Sequence, residues 1–311
     1  MKRVLITGIE GFAGLHLFNH LSQKQRYKIY GLHYRTCALS GLTCFHGDIR
    51  DYSFVVGVIK EVQPNLIFHL AAQSSVAYGE KELQETYTVN VTGTFNILEA
   101  VRCLKLKSRI IYISSCEVYG PHNQKLKETT LLNPVSFYAI TKICAENLCQ
   151  YYSKIQNLDI VILRPFSHTG PGQSEQFIFP RIAKKIAEIE KARAEPIIEV
   201  GNLNLKRDYT DVRDMVRAYE LAARFCKTGE IYNVTSGKSY ELKTGVQYLL
   251  SLTDKKIKLR INKALFRKND ILTLTGSAQK FIKLTGWQPQ IDFFTTLRDL
   301  LTYYREKLTG N

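Results

Sequence analysis

Three observations predict an α/β fold built on a doubly wound parallel sheet. The chain opens on a short apolar strand, Val4-Leu5-Ile6-Thr7, which runs into a glycine turn and then a helical pattern. Strand and helix patterns alternate from there to about Leu163, the rhythm of β–α–β units stacked in one sheet. Past Arg164-Pro165 that rhythm is lost, which predicts a smaller C-terminal α/β unit, mainly 166–311, beside a first unit of 1–165. Segments within roughly 204–236 are expected to return to the first sheet.

The first turn reads Gly8-Ile9-Glu10-Gly11-Phe12-Ala13-Gly14, followed by Leu15, Leu17, Phe18 and Leu21 at helical spacing. Strand, glycine turn and helix form the context of a dinucleotide-binding, Rossmann-type fingerprint. Glycines permit the tight turn and let the backbone approach a pyrophosphate at the helix N-terminus. A second strand, Lys28-Ile29-Tyr30-Gly31-Leu32, ends in His33-Tyr34-Arg35-Thr36. An acidic residue there would favour a free ribose hydroxyl and an arginine a 2′-phosphate. Arg35 is present and no acid is, so NADP(H) is favoured, with NAD(H) as the alternative.

Leu42-Thr43-Cys44-Phe45-His46 reads as the third strand, closed by Gly47-Asp48-Ile49. Asp48 is expected either to reach an adenine or to cap the helix that begins near Tyr52. The fourth strand runs through 65–72 and ends in small residues where a cofactor can pass closely. The fifth, Arg109-Ile110-Ile111-Tyr112-Ile113, closes on Ser114-Ser115-Cys116-Glu117, at the sheet edge where the binding crevice of such folds opens. Tyr138 and Lys142 lie four residues apart, on one face of a helix. An ammonium beside a phenol favours phenolate and brings its pKa down from ~10, readying it for proton transfer. Beyond the loop Thr169-Gly170-Pro171-Gly172-Gln173, a charged helix is expected at 182–191 and an amphipathic closing helix at 293–308.

At 311 residues the chain can bury a full core. Its 45% hydrophobic and 23% charged residues are those of a soluble globular protein. Met1-Lys2-Arg3 leads straight into the first strand, and no apolar run approaches the ~20 residues of a membrane span, so no membrane partner is expected. Seven cysteines without a C-x-x-C pair are expected as reduced thiols in a cytoplasm, and no metal site is expected. The formal charge of +15 is spread along the chain, with short clusters such as Lys255-Lys256-Ile257-Lys258. No nucleic-acid motif accompanies them, so the expected partners are small phosphate-bearing ligands.

Taken together, these motifs resemble the extended short-chain dehydrogenase/reductases, in their nucleotide-sugar branch. Gly8, Gly11 and Gly14 match the fingerprint, Asp48-Ile49 the adenine contact, and His69-Leu70-Ala71-Ala72 the nicotinamide-side strand. Asn90 matches the structural asparagine, and Ser115, Tyr138 and Lys142 the catalytic triad. Within the branch, Glu199-Val200-Gly201-Asn202-Leu203 and Lys206-Arg207-Asp208-Tyr209-Thr210-Asp211 resemble enzymes of GDP-mannose derivatives, as does His168-Thr169-Gly170-Pro171-Gly172-Gln173.

The resemblance implies that NADPH reduces the C4 ketone of GDP-4-keto-6-deoxy-D-mannose to GDP-D-rhamnose, for surface polysaccharide synthesis. The alternatives are a GDP-mannose 4,6-dehydratase, with Glu117 as base, and a C4 oxidoreductase or epimerase of a related GDP-sugar. Cofactor contacts are implied for Gly8, Gly11, Phe12, Gly14, Arg35, Asp48, Ile49, Leu70, Ala71, Ala72, Asn90, Tyr138 and Lys142. Substrate contacts are implied for Ser75, Ser115, Ser167, His168, Asn202, Arg207, Arg267 and Asp270, with the two arginines on the diphosphate. Two departures stand out: Ser167 replaces the usual asparagine, and Arg267-Lys268-Asn269-Asp270 lacks the usual Arg-Pro. Cys116 reads as a space-filler or a weak acid. A cofactor-sensing regulator on the same fold often loses part of the Ser-Tyr-Lys set, which is complete here. The resemblance further implies a homodimer paired through helices at about 83–104 and 135–155, a four-helix interface.

Overall fold

The computed structural model describes residues 1–35, 41–266 and 270–309. Seven strands form the central sheet: β1 (Lys2–Thr7), β2 (Tyr27–His33), β3 (Thr43–His46), β4 (Leu66–His69), β5 (Arg109–Ile113), β6 (Asp159–Pro165) and β7 (Ile231–Val234). All pair in parallel, in the order β7-β6-β5-β4-β1-β2-β3. The chain winds outward from β1 to β3, then returns to β4 on the other side of β1. That reversal opens a crevice at the C-terminal ends of β1 and β4, where open α/β sheets bind ligands.

Successive side chains point to opposite faces of a strand, and both faces here are covered. Val4, Ile6, Phe68, Ile111 and Val161 pack against helices α1 (Phe12–Ser22) and Val212–Phe225. Leu5, Ile67, Ile110, Ile160 and Ile162 pack on the other side with Tyr52–Val62, Gly93–Cys103 and Phe137–Lys154. Strand Ile231–Val234 comes from within the 204–236 stretch and closes the sheet beside β6.

A separate apolar cluster joins helices Ile178–Glu190, Leu242–Ser251 and Phe293–Thr309 with the paired strands Ile197–Val200 and Lys258–Ile261. The charged helix starts at Ile178, four residues before its expected start. Pro180 falls in its first turn, where a missing N–H leaves no helical hydrogen bond unmade. The closing helix packs along Ile178–Glu190, and its Tyr304 hydroxyl donates to the Gln173 carbonyl at 3.0 Å.

The long helix near 83–104 is not uniform. It consists of Leu83–Tyr87, a wide π turn at Thr88–Thr92, and Gly93–Cys103. The cap before Tyr52 is Asp51, whose carboxylate accepts from Phe54 N–H at 3.1 Å; Asp48 is not the cap. Asp48 instead accepts from Arg50, at 2.8 Å from both its backbone N and its Nε.

Candidate active site

The glycine turn is held by close backbone contacts that exclude side chains. Gly8 sits at φ +69°, and a Cβ on it would lie 2.8 Å from Ala71 Cα; on Gly14 it would lie 2.3 Å from the Gly8 carbonyl. Gly11 differs: a Cβ there would meet only the Gly8 carbonyl, at 3.1 Å, so that side of the turn is open. Gly11 also begins α1 without a side-chain cap, leaving first-turn N–H groups for another acceptor. An open, uncapped glycine turn at the crevice fits the pyrophosphate of a dinucleotide. Phe12 stacks on His168, with ring centroids 6.0 Å apart and planes 6° from parallel. His168 therefore stands against the glycine turn.

Across the crevice, the loop after β4 is fixed to β1. Thr7 Oγ1 accepts from Ala71 N–H at 3.1 Å and pairs with His69 Nδ1 at 2.8 Å. Leu70, Ala71 and Ala72 are all only partly buried. Ile49 is buried, and the Asn96 side chain donates to its carbonyl at 2.9 Å. Asn90 lies in the π turn and ties two parts of the site together. Its Oδ1 accepts from Gln73 N–H at 2.8 Å, and its Nδ2 donates to Thr141 on the Tyr138 helix at 3.0 Å. Ser75 caps the short helix Val76–Gly79, its Oγ accepting from Tyr78 N–H at 3.3 Å.

Ser115, Tyr138 and Lys142 arrive from two adjacent elements. Ser115 follows β5, and its Oγ accepts from Glu117 N–H at 3.2 Å. Helix Phe137–Lys154 is capped by Ser136, whose Oγ accepts from Ala139 N–H at 3.2 Å. Lys142 Nζ donates to the Ile113 carbonyl at 2.8 Å and lies 5.1 Å from the Tyr112 ring centre. Burial lowers the Lys142 ammonium to about 8, opposed by the charge of Glu146. Tyr138 departs from the sequence expectation: burial pushes its phenol well above the ordinary value, although the Ser115 hydroxyl pulls it back. Desolvation of the phenolate is the largest influence and outweighs the pull of the Ser115 hydroxyl. Tyr138 is thus held in its proton-donating form.

Cys116 is 4% exposed among Val118, Tyr119, Phe166 and Leu274, and burial raises its thiol well above the usual range. That environment suits a space-filler and not an acid at neutral pH. The charges of Glu117, Arg207 and Asp208 act on the same thiol, so all three lie near Cys116. Arg207 donates from one guanidinium nitrogen to the carbonyls of Lys206 and Ile271, at 2.9 and 2.6 Å. That second carbonyl brings Arg207 to the segment of Asp270, which is half-buried. Ser167 is half-buried after β6, and Asn202 Oδ1 accepts from Asn204 N–H at 3.1 Å. Arg267 lies outside the described residues.

One group escaped sequence reading. Glu146, one helical turn beyond Lys142, accepts from Ser114 Oγ at 2.5 Å and from Arg164 at 2.9 and 2.6 Å. Arg164 continues to the Tyr119 hydroxyl at 3.0 Å, and that hydroxyl donates to Asn233 on β7 at 2.7 Å. This buried chain braces the serine loop from behind. Its only sequence signal is Lys142 and Glu146 four residues apart; the partner on β6 comes from tertiary structure.

The family profile described as GDP-mannose 4,6 dehydratase matches residues 5–300. The GDP-6-deoxy-D-mannose reductase of Pseudomonas aeruginosa is 27% identical over 99% of this chain and 98% of its own length. The GDP-mannose 4,6-dehydratase of Yersinia enterocolitica is 28% identical over 94% of this chain and 90% of its own. Among solved structures, RMD from Pseudomonas aeruginosa complexed with NADPH superposes with a TM-score of 0.88 at 26% identity, covering 99% of this chain and all of that one.

Proposed function

The chain belongs to the GDP-mannose 4,6 dehydratase family, and from that premise we propose that it reduces the C4 ketone of GDP-4-keto-6-deoxy-D-mannose with NADPH, giving GDP-D-rhamnose. The observation that carries this reading is Tyr138, a buried phenol beside Ser115 that is kept protonated. Reduction of a ketone consumes a proton at the new hydroxyl, and the site presents a donor in the required state. Near-complete coverage of the Pseudomonas reductase, against 90% of the longer Yersinia dehydratase, supports the same choice.

Residues 1–165, with strand Ile231–Val234, form the dinucleotide-binding part in this reading, and the rest of 166–311 holds the sugar nucleotide. When bound, the nicotinamide supplies the hydride that C4 receives. Gly8, Gly11 and Gly14 give the pyrophosphate its close approach, and Arg35 faces the adenosine ribose. Ser115 hydrogen-bonds the C4 oxygen and Tyr138 protonates it. Lys142 contributes positive charge beside the phenol. Arg207 takes the diphosphate with its remaining guanidinium donors. The test is NADPH deuterated at the transferable position: the product should carry one deuterium, at C4.

Dehydration is the second reading, favoured by Glu117. Its backbone N–H touches Ser115, and its carboxylate acts on the neighbouring thiol, so a base lies within the same cluster. In that case the deuterium experiment leaves the product unlabelled. The protein is further read as a homodimer through 83–103 and Phe137–Lys154. Leu83, Tyr87 and Phe95 on the first, and Ile140 and Tyr151 on the second, are exposed apolar side chains.

A further inference from the structure

Glu10 belongs to the glycine turn, yet its side chain reaches across to the end of β2. Oε1 accepts from the backbone N–H of Tyr34 at 2.9 Å and of Arg35 at 3.3 Å. Oε2 is buried and, among the described residues, takes no hydrogen bond. β2 pairs directly with β1, so its C-terminal end flanks the glycine turn, where the adenosine ribose of a dinucleotide lies in this topology. A 2′-phosphate is gripped there by a guanidinium and by paired backbone N–H groups. Arg35 brings the guanidinium, but the two N–H groups beside it already hold a carboxylate.

We propose that Glu10 sets the cofactor selectivity of this site: its carboxylate occupies the N–H pair a 2′-phosphate would take, tempering the preference for NADP(H) that Arg35 confers and keeping NAD(H) usable. Two physical effects act in the same direction. A 2′-phosphate meets a like charge in the turn and competes for donors already engaged. An unphosphorylated ribose brings no such charge and leaves the Glu10 carboxylate on its two N–H donors. The inference rests on dinucleotide binding at this turn and is independent of which sugar is reduced.

The test is calorimetric titration of the sugar-free protein with NADPH and with NADH, for wild type and the isosteric Glu10→Gln. The variant is expected to tighten NADPH by about tenfold while NADH is unchanged or weakened, so that the ratio of affinities rises. Equal shifts for both cofactors, or a fall in the NADPH preference, would overturn the proposal, since either makes Glu10 a mere fastener of the turn. If the variant does not fold, the wild type decides. It is expected to bind 2′,5′-ADP no more than about tenfold tighter than 5′-ADP; a wider gap overturns the proposal.

Discussion

Lys142 links the chemistry to a measurable pH dependence. Burial brings its ammonium down to about 8, so the charged form is present below that pH and is lost as pH rises through it. Turnover that needs the charge should therefore fall on the alkaline side with a midpoint near 8 in a pH–kcat profile. Glu146 opposes the drop, so Glu146→Gln should move that limb to lower pH. The same change leaves Arg164 buried without its counter-charge and should cost about 3–5 kcal/mol in denaturant unfolding. An unmoved limb in folded variant protein would remove Lys142 from that role. At this scale the sequence is informative where chemistry depends on short spacing, as for Ser115, Tyr138 and Lys142. It is silent on Glu146 and Arg164, which meet only after helix and strand pack. It also misjudges Tyr138, because the sense of a pKa shift depends on how much water folding removes.

Among the elements, α1, β2 and helix Val212–Phe225 are fastened by one carboxylate. Glu220, 2% exposed, takes His20 Nε2 at 2.8 Å and the Tyr27 hydroxyl at 3.1 Å, and pairs with Lys24 and Arg26. Burial pushes its pKa up, but the hydrogen bonds from His20 and Lys24 and the Lys24 charge prevail and hold it far below the ordinary range. A depressed carboxyl stabilises the fold above its unfolded-state pKa. That contribution should drain away as pH falls below ~4.5, visible as a falling Tm in acid. Glu220→Gln should lose about 3–5 kcal/mol at pH 7 and flatten the acid dependence. The clamp is illegible beforehand because it spans some two hundred positions. The alternation of strands and helices is legible, since most strands are short apolar runs ended by Gly, Asp or small residues, as β1, β3, β4 and β5 are. Helix ends are less so. Asp48 reads as a cap in sequence, yet packing gives it to Arg50 and Asp51 caps the helix.

For the whole molecule, the switch in strand order beside β1 follows from the β–α rhythm, and with it the position of the crevice. The smaller unit is harder to read because its strands are two to four residues long and pair with distant segments, as Lys206–Asp208 does with Ser239–Glu241. Light scattering behind size exclusion should give twice the chain mass. Tyr151→Glu, which places a charge on the exposed stripe of Phe137–Lys154, should shift it to the monomer without unfolding. A wild-type monomer would refute the paired-helix interface.

The most direct measurement of the proposed reaction is absorbance at ~340 nm with the mass of the product. The protein is mixed with NADPH and GDP-4-keto-6-deoxy-D-mannose, and separately with NADPH and GDP-mannose. One NADPH should be consumed per keto sugar, with a product heavier by two hydrogens and GDP-mannose unchanged. A steady absorbance with GDP-mannose losing one water would contradict the proposed reduction and make the protein a dehydratase, with Glu117 as its base.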